Sequence, residues 1–211
     1  MFVCFEGIDG AGKSTQARML YQLLHDAGQA VELVADPGTT QIGTAIRQIL
    51  LQNDGPISPM AQMLLFSAAR AELASYITEK LAAGVTVICD RWLLSTLVYQ
   101  GEINGIKPDL ILSIFRGTSF VVPDLCVLLD LDPASAEPRM GKPRDRYERR
   151  NTEDRQRMRA AYKRYMIDEC PLLVGKRLAI VNAELPPNSV HSDVYRLYRN
   201  AARLHPAPVN V

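Results

Sequence analysis

Residues 7–15 read Gly-Ile-Asp-Gly-Ala-Gly-Lys-Ser-Thr and directly follow a short apolar run, Phe2–Phe5. Small residues at this spacing let successive backbone N–H groups turn inward around phosphate oxygens, while the following helix presents its positive end to the same anion. The alternative is an ordinary glycine-rich turn, but the strand pattern before the loop and the helical pattern after it favour the phosphate site. The sequence therefore predicts a P-loop, which holds a nucleoside triphosphate.

Each residue type in this loop has an expected contact. Lys13 is expected to reach the β- and γ-phosphates as a mobile positive charge, and the Ser14 hydroxyl to ligate the Mg²⁺ that bridges them. Thr15 is expected to donate a hydrogen bond to a further phosphate. The residues expected to hold the triphosphate are Gly7, Asp9, Gly10, Ala11, Gly12, Lys13, Ser14 and Thr15.

A triphosphate site alone does not separate a kinase from a GTPase or a motor. The chain contains no Asn-Lys-x-Asp sequence of the kind that reads guanine, and 211 residues leave little room for the extra elements of a motor. The discrimination must come from the residues that would hold a phosphoryl acceptor.

Short apolar runs alternate with longer helical patterns along the chain. The five runs are Phe2–Phe5, Ala30–Ala35, Val85–Cys89, Leu125–Leu131 and Leu178–Val181. Stretches with helical spacing include Ser14–Ala27, Ser58–Ala83 and Thr152–Leu173. Parallel strands need crossover connections, which are usually helical. We therefore expect the α/β class, a P-loop fold with a five-stranded parallel sheet flanked by helices on both faces, in one domain spanning 1–211.

Charge and cysteine usage limit the possible partners. Lys and Arg total 24 against 23 Asp and Glu, so the net charge is +1 and no whole-molecule field favours nucleic acid or a membrane. The four cysteines lack the paired spacing of a zinc site, which favours buried free thiols in a reducing compartment. The N-terminal apolar run is too short for a signal peptide, and no stretch approaches the roughly 20 apolar residues of a membrane span. We expect a cytoplasmic protein.

The third apolar run ends in an acidic and a basic residue, Asp90 and Arg91. A carboxylate at the carboxyl edge of a strand lies where α/β sheets bind ligands, and it can hold the magnesium shell or orient the attacking group. The fork of an arginine guanidinium matches a phosphate, so Arg91 is expected to hold the phosphate of a second substrate. Such a pair alone is commonly a surface ion pair, but together with a P-loop it favours an acceptor site.

Four sequence blocks now stand in one order over most of the chain: Phe5–Thr15, Asp36–Thr40, Leu64–Arg70 and the pattern Asp90-Arg91-x-x-x-Ser95-Thr96-x-x-Tyr99-Gln100-Gly101. Each block alone is modestly specific, but the four in sequence are hard to obtain by chance. Together they resemble the thymidylate kinases, in particular their bacterial branch. The resemblance implies transfer of the γ-phosphoryl group of ATP to dTMP, giving dTDP, with Mg²⁺ as cofactor.

The resemblance also implies roles on the acceptor side. Phe66 would stack on thymine, and Arg70, four residues later on the same helix face, would bond the edge of the base. Without the other blocks, Phe66 would be expected in the core with Arg70 snorkelling beside it. Arg91 would bind the dTMP phosphate, and Asp9 would lie near the sugar and the magnesium. Tyr99 would lie against the position of a ribose 2′-hydroxyl. The pocket would also be lined by Asp36, Ser95, Thr96 and Gln100, although Ser95 and Thr96 are alternatively helix caps.

A basic segment from Arg139 to Arg150 is identified with the family's lid, near 137–150. The P-loop itself carries no arginine, so the guanidinium that stabilises the transition state is expected from this lid, with Arg146 as the best match and Arg139 and Arg144 as further candidates. Solvated positions are favoured for Arg149, Arg150, Arg155, Arg157 and Arg159. Residues 181–184 occupy the place where the family contacts adenine, mainly through backbone atoms.

Two departures and two alternatives accompany the resemblance. Asp36 stands where the family usually has a glutamate, so it would reach the sugar through a backbone shift or water, and Trp92 is expected to cap the pocket or pack under the lid. The alternatives are a kinase for another nucleoside monophosphate or deoxynucleoside, and a catalytically idle nucleotide-binding regulator. A homodimer is implied, with Ser58–Ala83 or Leu93–Ile103 as interface helix.

Overall fold

The computed structural model describes residues 1–52, 55–118, 120–141, 147 and 150–204. Its centre is one parallel sheet of five strands in the order β2-β3-β1-β4-β5. The strands are β1 Phe2–Glu6, β2 Val31–Ala35, β3 Thr86–Asp90, β4 Leu125–Asp130 and β5 Arg177–Asn182. All five predicted runs are therefore strands, and the predicted fold class is confirmed.

Helices cover both faces of the sheet. They are α1 Lys13–Asp26, α2 Gln41–Gln52, α3 Pro59–Ala82, α4 Leu93–Thr96, α5 Pro108–Gly117, α6 Pro133–Met140, α7 Thr152–Arg164 and α8 Pro187–Ala202. Wider π-helical turns continue α4 over Leu97–Ile103 and α7 over Tyr165–Glu169. Within the described ranges, no helix is both long enough and apolar enough to span a membrane.

The prediction of one helix over Thr152–Leu173 is wrong beyond Arg164. The chain widens into the π-helical turn and leaves the helix at Cys170, which adopts an extended backbone. Pro171 follows, and a proline disfavours the α conformation for the residue before it. The segment 93–103 also differs from its prediction as a dimer interface, because residues 93–101 are all buried within this chain.

Side-chain caps fix the two helices that flank the lid. Asp132 accepts a hydrogen bond from the backbone N–H of Ala134 at 3.0 Å and begins α6, and Asn151 accepts one from Asp154 at 2.7 Å and begins α7. Each cap satisfies an N–H group that the first helical turn leaves without an internal partner. The helices on either side of the basic segment 139–150 therefore begin at defined points on the scaffold.

The central strand β1 lies between β3 and β4 and is buried along its whole length. Strands of this kind read as continuous apolar runs because both of their faces are covered. Cys4 pairs in register with Cys89 on β3 and with Cys126 on β4, which produces a row of thiols across the sheet. Burial raises the pKa of Cys4 and of Cys89 well above the ordinary value, so these thiols stay protonated.

Candidate active site

The P-loop connects the carboxyl end of β1 to α1, and two of its glycines cannot be replaced without conflict. A Cβ on Gly7 would lie 2.7 Å from the carbonyl oxygen of Leu129, and one on Gly10 would lie 2.8 Å from that of Ala136. Gly7, Gly10 and Gly12 all have positive φ angles, 143°, 82° and 92°, which favour glycine. Both β4 and α6 therefore pack closely against the loop that the sequence predicts to hold phosphates.

Lys13 begins α1, and its side chain folds back across the loop. Its Nζ donates a hydrogen bond to the carbonyl oxygen of Ile8 at 2.7 Å, and only 6% of the residue is exposed. Burial, together with the nearby positive charge of Arg91, lowers the pKa of Lys13 to about 8, although Asp9 opposes the shift. An anion that binds beside Lys13 would therefore stabilise the charged form of its side chain.

Ser14 and Asp90 meet at the carboxyl edge of the sheet, as the sequence predicts for a magnesium site. The Ser14 hydroxyl donates to Oδ2 of Asp90, while Oδ1 of Asp90 is buried without a hydrogen-bond partner. Among the described residues, no cluster of three or more metal-binding side chains exists. One carboxylate and one hydroxyl fit Mg²⁺, which usually takes few protein ligands and completes its shell with phosphate oxygens and water.

Arg91 follows β3 directly and has a φ angle of 75°, the sole positive φ on a non-glycine residue in the described part of the chain. Its backbone N–H donates to Phe5 at 3.0 Å, and its guanidinium pairs with Asp9 and donates to the Gly7 carbonyl at 3.2 Å. A left-handed backbone on such a residue persists only where several contacts determine it. These contacts direct the guanidinium toward the P-loop.

Asp9 joins the P-loop to the acceptor side. One carboxylate oxygen pairs with Arg91, and the other accepts a hydrogen bond from the Tyr99 hydroxyl at 2.7 Å. Burial alone would raise the pKa of Asp9, but the charges of Arg91 and Lys13 outweigh it and lower the pKa below the ordinary value. Asp9 therefore stays ionised and holds Arg91 and Tyr99 in place.

Glu6 was not singled out in the sequence, yet it organises this region. It is fully buried, and its carboxylate accepts hydrogen bonds from the backbone N–H groups of Trp92 and Ser95 at 2.9 and 3.2 Å. The Ser95 hydroxyl donates to the same carboxylate at 2.6 Å and lies 3.0 Å from the Tyr162 hydroxyl. Glu6 thereby caps α4, so the alternative that Ser95 is a helix cap is wrong. The sequence signal that could have identified Glu6 is the presence of a carboxylate in an otherwise apolar strand.

Trp92 is a core residue, which corrects the expectation that it caps the pocket or packs under the lid. It has no exposed surface, its indole N–H donates to the Val121 carbonyl at 2.9 Å, and its ring stacks on Phe120 at 5.3 Å. A buried indole N–H needs such a partner. The residue therefore belongs to the core, where its ring centre lies 5.6 Å from the guanidinium carbon of Arg70.

Asp36 and Arg70 form a buried ion pair at the far end of the cleft. The Arg70 guanidinium pairs with Oδ2 of Asp36 and donates to the Thr96 hydroxyl, and it lies 5.2 Å from the centre of the Phe115 ring. Oδ1 of Asp36 is buried without a partner. Arg70 is therefore a fixed group within the cleft wall, in contrast to the snorkelling alternative, and Asp36 retains one acceptor.

Two further residues line this end of the cleft. Arg47 on α2, which the sequence analysis did not identify, donates to the Pro37 carbonyl at 2.9 Å. Gln100 is buried, and its Nε2 has no partner within the described structure. The cleft lining therefore contains one buried donor, on Gln100, and one buried acceptor, on Asp36, that a ligand can satisfy.

Phe66 lies beside lid residue Tyr147 at the same end. The ring centres are 5.7 Å apart with the edge of one toward the face of the other, and Tyr147 also lies 6.3 Å from Tyr99. The Tyr147 hydroxyl donates to Gln62 on α3 at 3.0 Å. Phe66, Tyr99 and Tyr147 therefore form an aromatic cluster that lines this end of the cleft.

The structure corrects part of the expectation for the basic residues. Arg159 pairs with Asp130 and Asp132, at 2.6 and 2.7 Å, and Arg155 is buried, so neither is a solvated side chain. The Arg150 guanidinium lies 5.4 Å from the Tyr99 ring centre, a cation–π distance. Arg157 is half-exposed and pairs with Glu102 and Asp154. Arg144, Arg146 and Arg149 lie outside the described residues.

One continuous cleft of about 1350 Å³ connects these groups. It extends from Gln16 and the Ala183–Pro187 segment, across the P-loop and Arg91, to Phe66 and Arg70. Sites for a single small molecule usually measure about 300–1,000 Å³. The cleft is therefore large enough for two ligands that meet at the P-loop. Arg139 donates to the Ala183 carbonyl at 2.8 Å and closes its first end.

Comparison with known proteins gives a consistent result. The family model described as thymidylate kinase matches residues 5–194. A thymidylate kinase from Pelodictyon phaeoclathratiforme is 37% identical over 210 residues, covering 93% of this chain and 94% of the relative. One from Bifidobacterium longum is 40% identical over 168 residues, covering 77% and 82%. The crystal structure of thymidylate kinase from Ehrlichia chaffeensis superimposes with a TM-score of 0.77 at 27% identity, covering 94% of this chain and 98% of that one.

Proposed function

Since this chain belongs to the thymidylate kinase family and transfers the γ-phosphoryl group of ATP to dTMP, giving dTDP, we propose that its cleft holds both nucleotides with their phosphates meeting over the P-loop. The observation that carries this arrangement is the convergence of Lys13, Arg91 and Asp9 at the middle of a cleft large enough for two ligands. The positive charges of Lys13 and Arg91 suit the point where the triphosphate of ATP would meet the phosphate of dTMP.

ATP would lie on the P-loop side. The backbone N–H groups of residues 7–15 would surround the β- and γ-phosphates, with Lys13 turning from the Ile8 carbonyl to the phosphates. We assign Mg²⁺ to Ser14 and Asp90, because Asp90 keeps one unpaired oxygen, whereas both Asp9 oxygens are already engaged. A magnesium ion held by Ser14 and Asp90 would supply positive charge against the negative charge that develops on the phosphates.

The acceptor dTMP would lie on the other side of Arg91. Its base would stack on Phe66, with Arg70 and Gln100 toward the polar edge, and its sugar would lie beside Tyr99. The fixed position of Arg70, set by Asp36, favours one orientation of the base. The unpaired oxygen of Asp36 is an acceptor for a substrate hydroxyl or a bridging water.

Catalysis in this arrangement is positioning and neutralisation. Arg91 would bind the dTMP phosphate by its guanidinium fork and bring a phosphate oxygen in line with the γ-phosphorus. Lys13 would reduce the charge on the transferred group, and we assign the transition-state guanidinium to Arg146 of the lid, with Arg139 and Arg144 as the other candidates. Closure of the lid would exclude water, so that the phosphoryl group passes to dTMP.

A substrate panel tests the proposal. The kcat/KM with ATP and magnesium is measured for dTMP, dUMP, UMP, dCMP, dGMP and AMP, with thymidine as the acceptor that lacks a phosphate. We expect a clear preference for dTMP and no activity with thymidine. Strong activity on another acceptor would reject the thymine contacts of Phe66 and Arg70, and inactivity on every acceptor with intact ATP binding would favour a nucleotide-binding regulator.

We also propose that the protein acts as a homodimer with α3 in the interface. Met60 and Leu64, one helical turn apart on α3, expose 42% and 51% of their surface, and such apolar pairs suit an interface. Light scattering coupled to gel filtration measures the mass of wild type and of Leu64→Arg. A dimer that the substitution dissociates supports the proposal, and a monomeric wild type rejects it.

The cytoplasm is the location that we propose. The support is chemical: all four cysteines are free and buried, which suits a reducing compartment. Fractionation of cells with an antibody against the native protein tests this, and recovery outside the cytoplasmic fraction would reject it.

A further inference from the structure

A buried amide lies at the ATP end of the cleft with one of its groups unused. Gln16 on α1 is 3% exposed, and its Nε2 donates a hydrogen bond to the Pro187 carbonyl at 2.9 Å. Its Oε1 is buried and accepts no hydrogen bond. Gln16 nevertheless lines the cleft, beside the Ala183–Pro187 segment. A buried acceptor without a donor is costly, so a ligand that supplies the donor gains affinity.

The orientation of this amide follows from its partner. A carbonyl oxygen accepts hydrogen bonds and does not donate them, so the nitrogen of Gln16 must face Pro187. Its oxygen is then the polar atom of this cleft-lining residue that has no partner. Pro187 is the last residue of the Ala183–Pro187 wall and the first residue of α8. The hydrogen bond from Gln16 therefore also holds this wall against α1.

The chemistry of ATP limits what can reach this oxygen. The triphosphate offers only acceptors at neutral pH, so the available donors are the ribose hydroxyls and the 6-amino group of adenine. The wall beside Gln16 contains one carboxylate, Glu184, and four apolar residues. The apolar residues, Leu185, Pro186, Pro187 and Val190, suit the face of a purine better than a sugar.

We propose that Oε1 of Gln16 accepts a hydrogen bond from the 6-amino group of adenine and thereby selects ATP over nucleotides that carry oxygen at that position. Guanine and hypoxanthine place an acceptor there, so two oxygens would face each other in a buried site. This inference rests on the proposed placement of ATP. It adds a side-chain determinant to an end of the cleft for which the family resemblance implies mainly backbone contacts.

The test compares donors that differ only at the proposed contact. With dTMP saturating, kcat/KM is measured for ATP, for purine riboside 5′-triphosphate, which carries hydrogen at position 6, and for inosine 5′-triphosphate, in wild type and Gln16→Met. We expect wild type to prefer ATP over the 6-hydrogen analogue by about 10-fold or more, the usual effect of an unpaired buried group. In Gln16→Met the preference should approach one. Gln22→Met, on the exposed face of the same helix, should keep the wild-type preference.

Other outcomes overturn the inference. If Gln16→Met lowers kcat/KM equally for all three donors, Gln16 only anchors the wall at Pro187. If the substitution instead changes the preference between ATP and its 2′- or 3′-deoxy forms, the contact is with the ribose. If the variant fails to fold, the wild-type comparison still decides, because equal use of ATP and the 6-hydrogen analogue excludes the contact. Failure of ATP to drive dTMP phosphorylation at all would count against the proposed function instead.

Discussion

The carboxylate of Glu6 and the hydroxyl of Ser95 lie 2.6 Å apart in the interior, 89 residues apart in sequence. Two backbone N–H groups donate to the same carboxylate. Glu6→Ala would leave the two backbone donors without an acceptor, and each orphaned group costs about 1–3 kcal/mol. We expect the free energy of unfolding to fall by about 3 kcal/mol or more, measured by urea denaturation. Glu6→Gln keeps an oxygen for the backbone donors and should lose far less, and equal losses would contradict the cap.

The same residue predicts a pH dependence. Burial raises the pKa of Glu6 above its ordinary value of 4.5, although its donors oppose the shift. Because the folded-state pKa is the higher one, its contribution to stability is complete below about pH 4.5 and is lost as the pH rises through the folded value. Urea denaturation of wild type across this range should show the decline, and Glu6→Gln should lack it. A decline that persists in the variant must come from another group.

Lys13 predicts proton uptake on ATP binding. Its pKa in the ligand-free protein is about 8, so near pH 8 about half of the molecules carry a neutral Lys13. Phosphate favours the charged form and should therefore draw in a proton. Calorimetric titration at pH 8 in two buffers of different ionisation enthalpy measures the number of protons taken up. Lys13→Arg, which stays charged, should show little uptake, and uptake equal to that of wild type would assign the proton to another group.

Arg91 should be sensitive even to a replacement that keeps its charge. Arg91→Lys removes the fork that pairs with Asp9 and, as proposed, holds the dTMP phosphate. We expect kcat/KM for dTMP to fall about 10²- to 10³-fold, as for loss of one preorganised donor, with little change in thermal unfolding. Arg157→Lys, a half-exposed control paired with Glu102, should be almost silent. Similar rates for both variants would remove Arg91 from the site.

The two ends of the lid should differ in their kinetic effects. Arg146→Ala should lower kcat about 10³-fold or more with little effect on the KM for dTMP, because a transition-state guanidinium acts after binding. Arg139, which bonds the Ala183 carbonyl at the ATP end, should instead raise the KM for ATP when replaced by alanine. Steady-state kinetics with each substrate varied distinguish the two, and a change only in KM for Arg146→Ala would contradict its role.

Local pattern predicted the sheet, the P-loop and the Asp90-Arg91 pair, because each depends on residues close together in sequence. Ser14 and Asp90 were each assigned to magnesium from the sequence, but their contact depends on the adjacency of β1 and β3, which the sequence did not predict. Glu6 and Tyr162 did not follow, because their shared partner Ser95 lies 89 and 67 residues away. No short-range signal distinguishes such a buried network from isolated polar residues.

The basic segment shows the same limit. Charge density alone favoured a solvated face for Arg159, but Asp130 at the end of β4 and Asp132 at the cap of α6 approach it from another element. Whether an arginine in a charged helix is solvated or paired depends on which element packs beside it. That packing is fixed by the sheet order, which composition does not reveal.

The thiols of Cys4, Cys89 and Cys126 lie side by side in the three central strands, sealed from solvent. An alkylating reagent attacks thiolates, so it can modify these residues only in molecules whose sheet has opened. The rate at which these thiols are modified therefore measures how often the sheet opens, without a dye or label on the protein. Nucleotides that bind only the closed protein would lower this rate as their occupancy rises. One chemical reaction would then report both stability and ligand affinity.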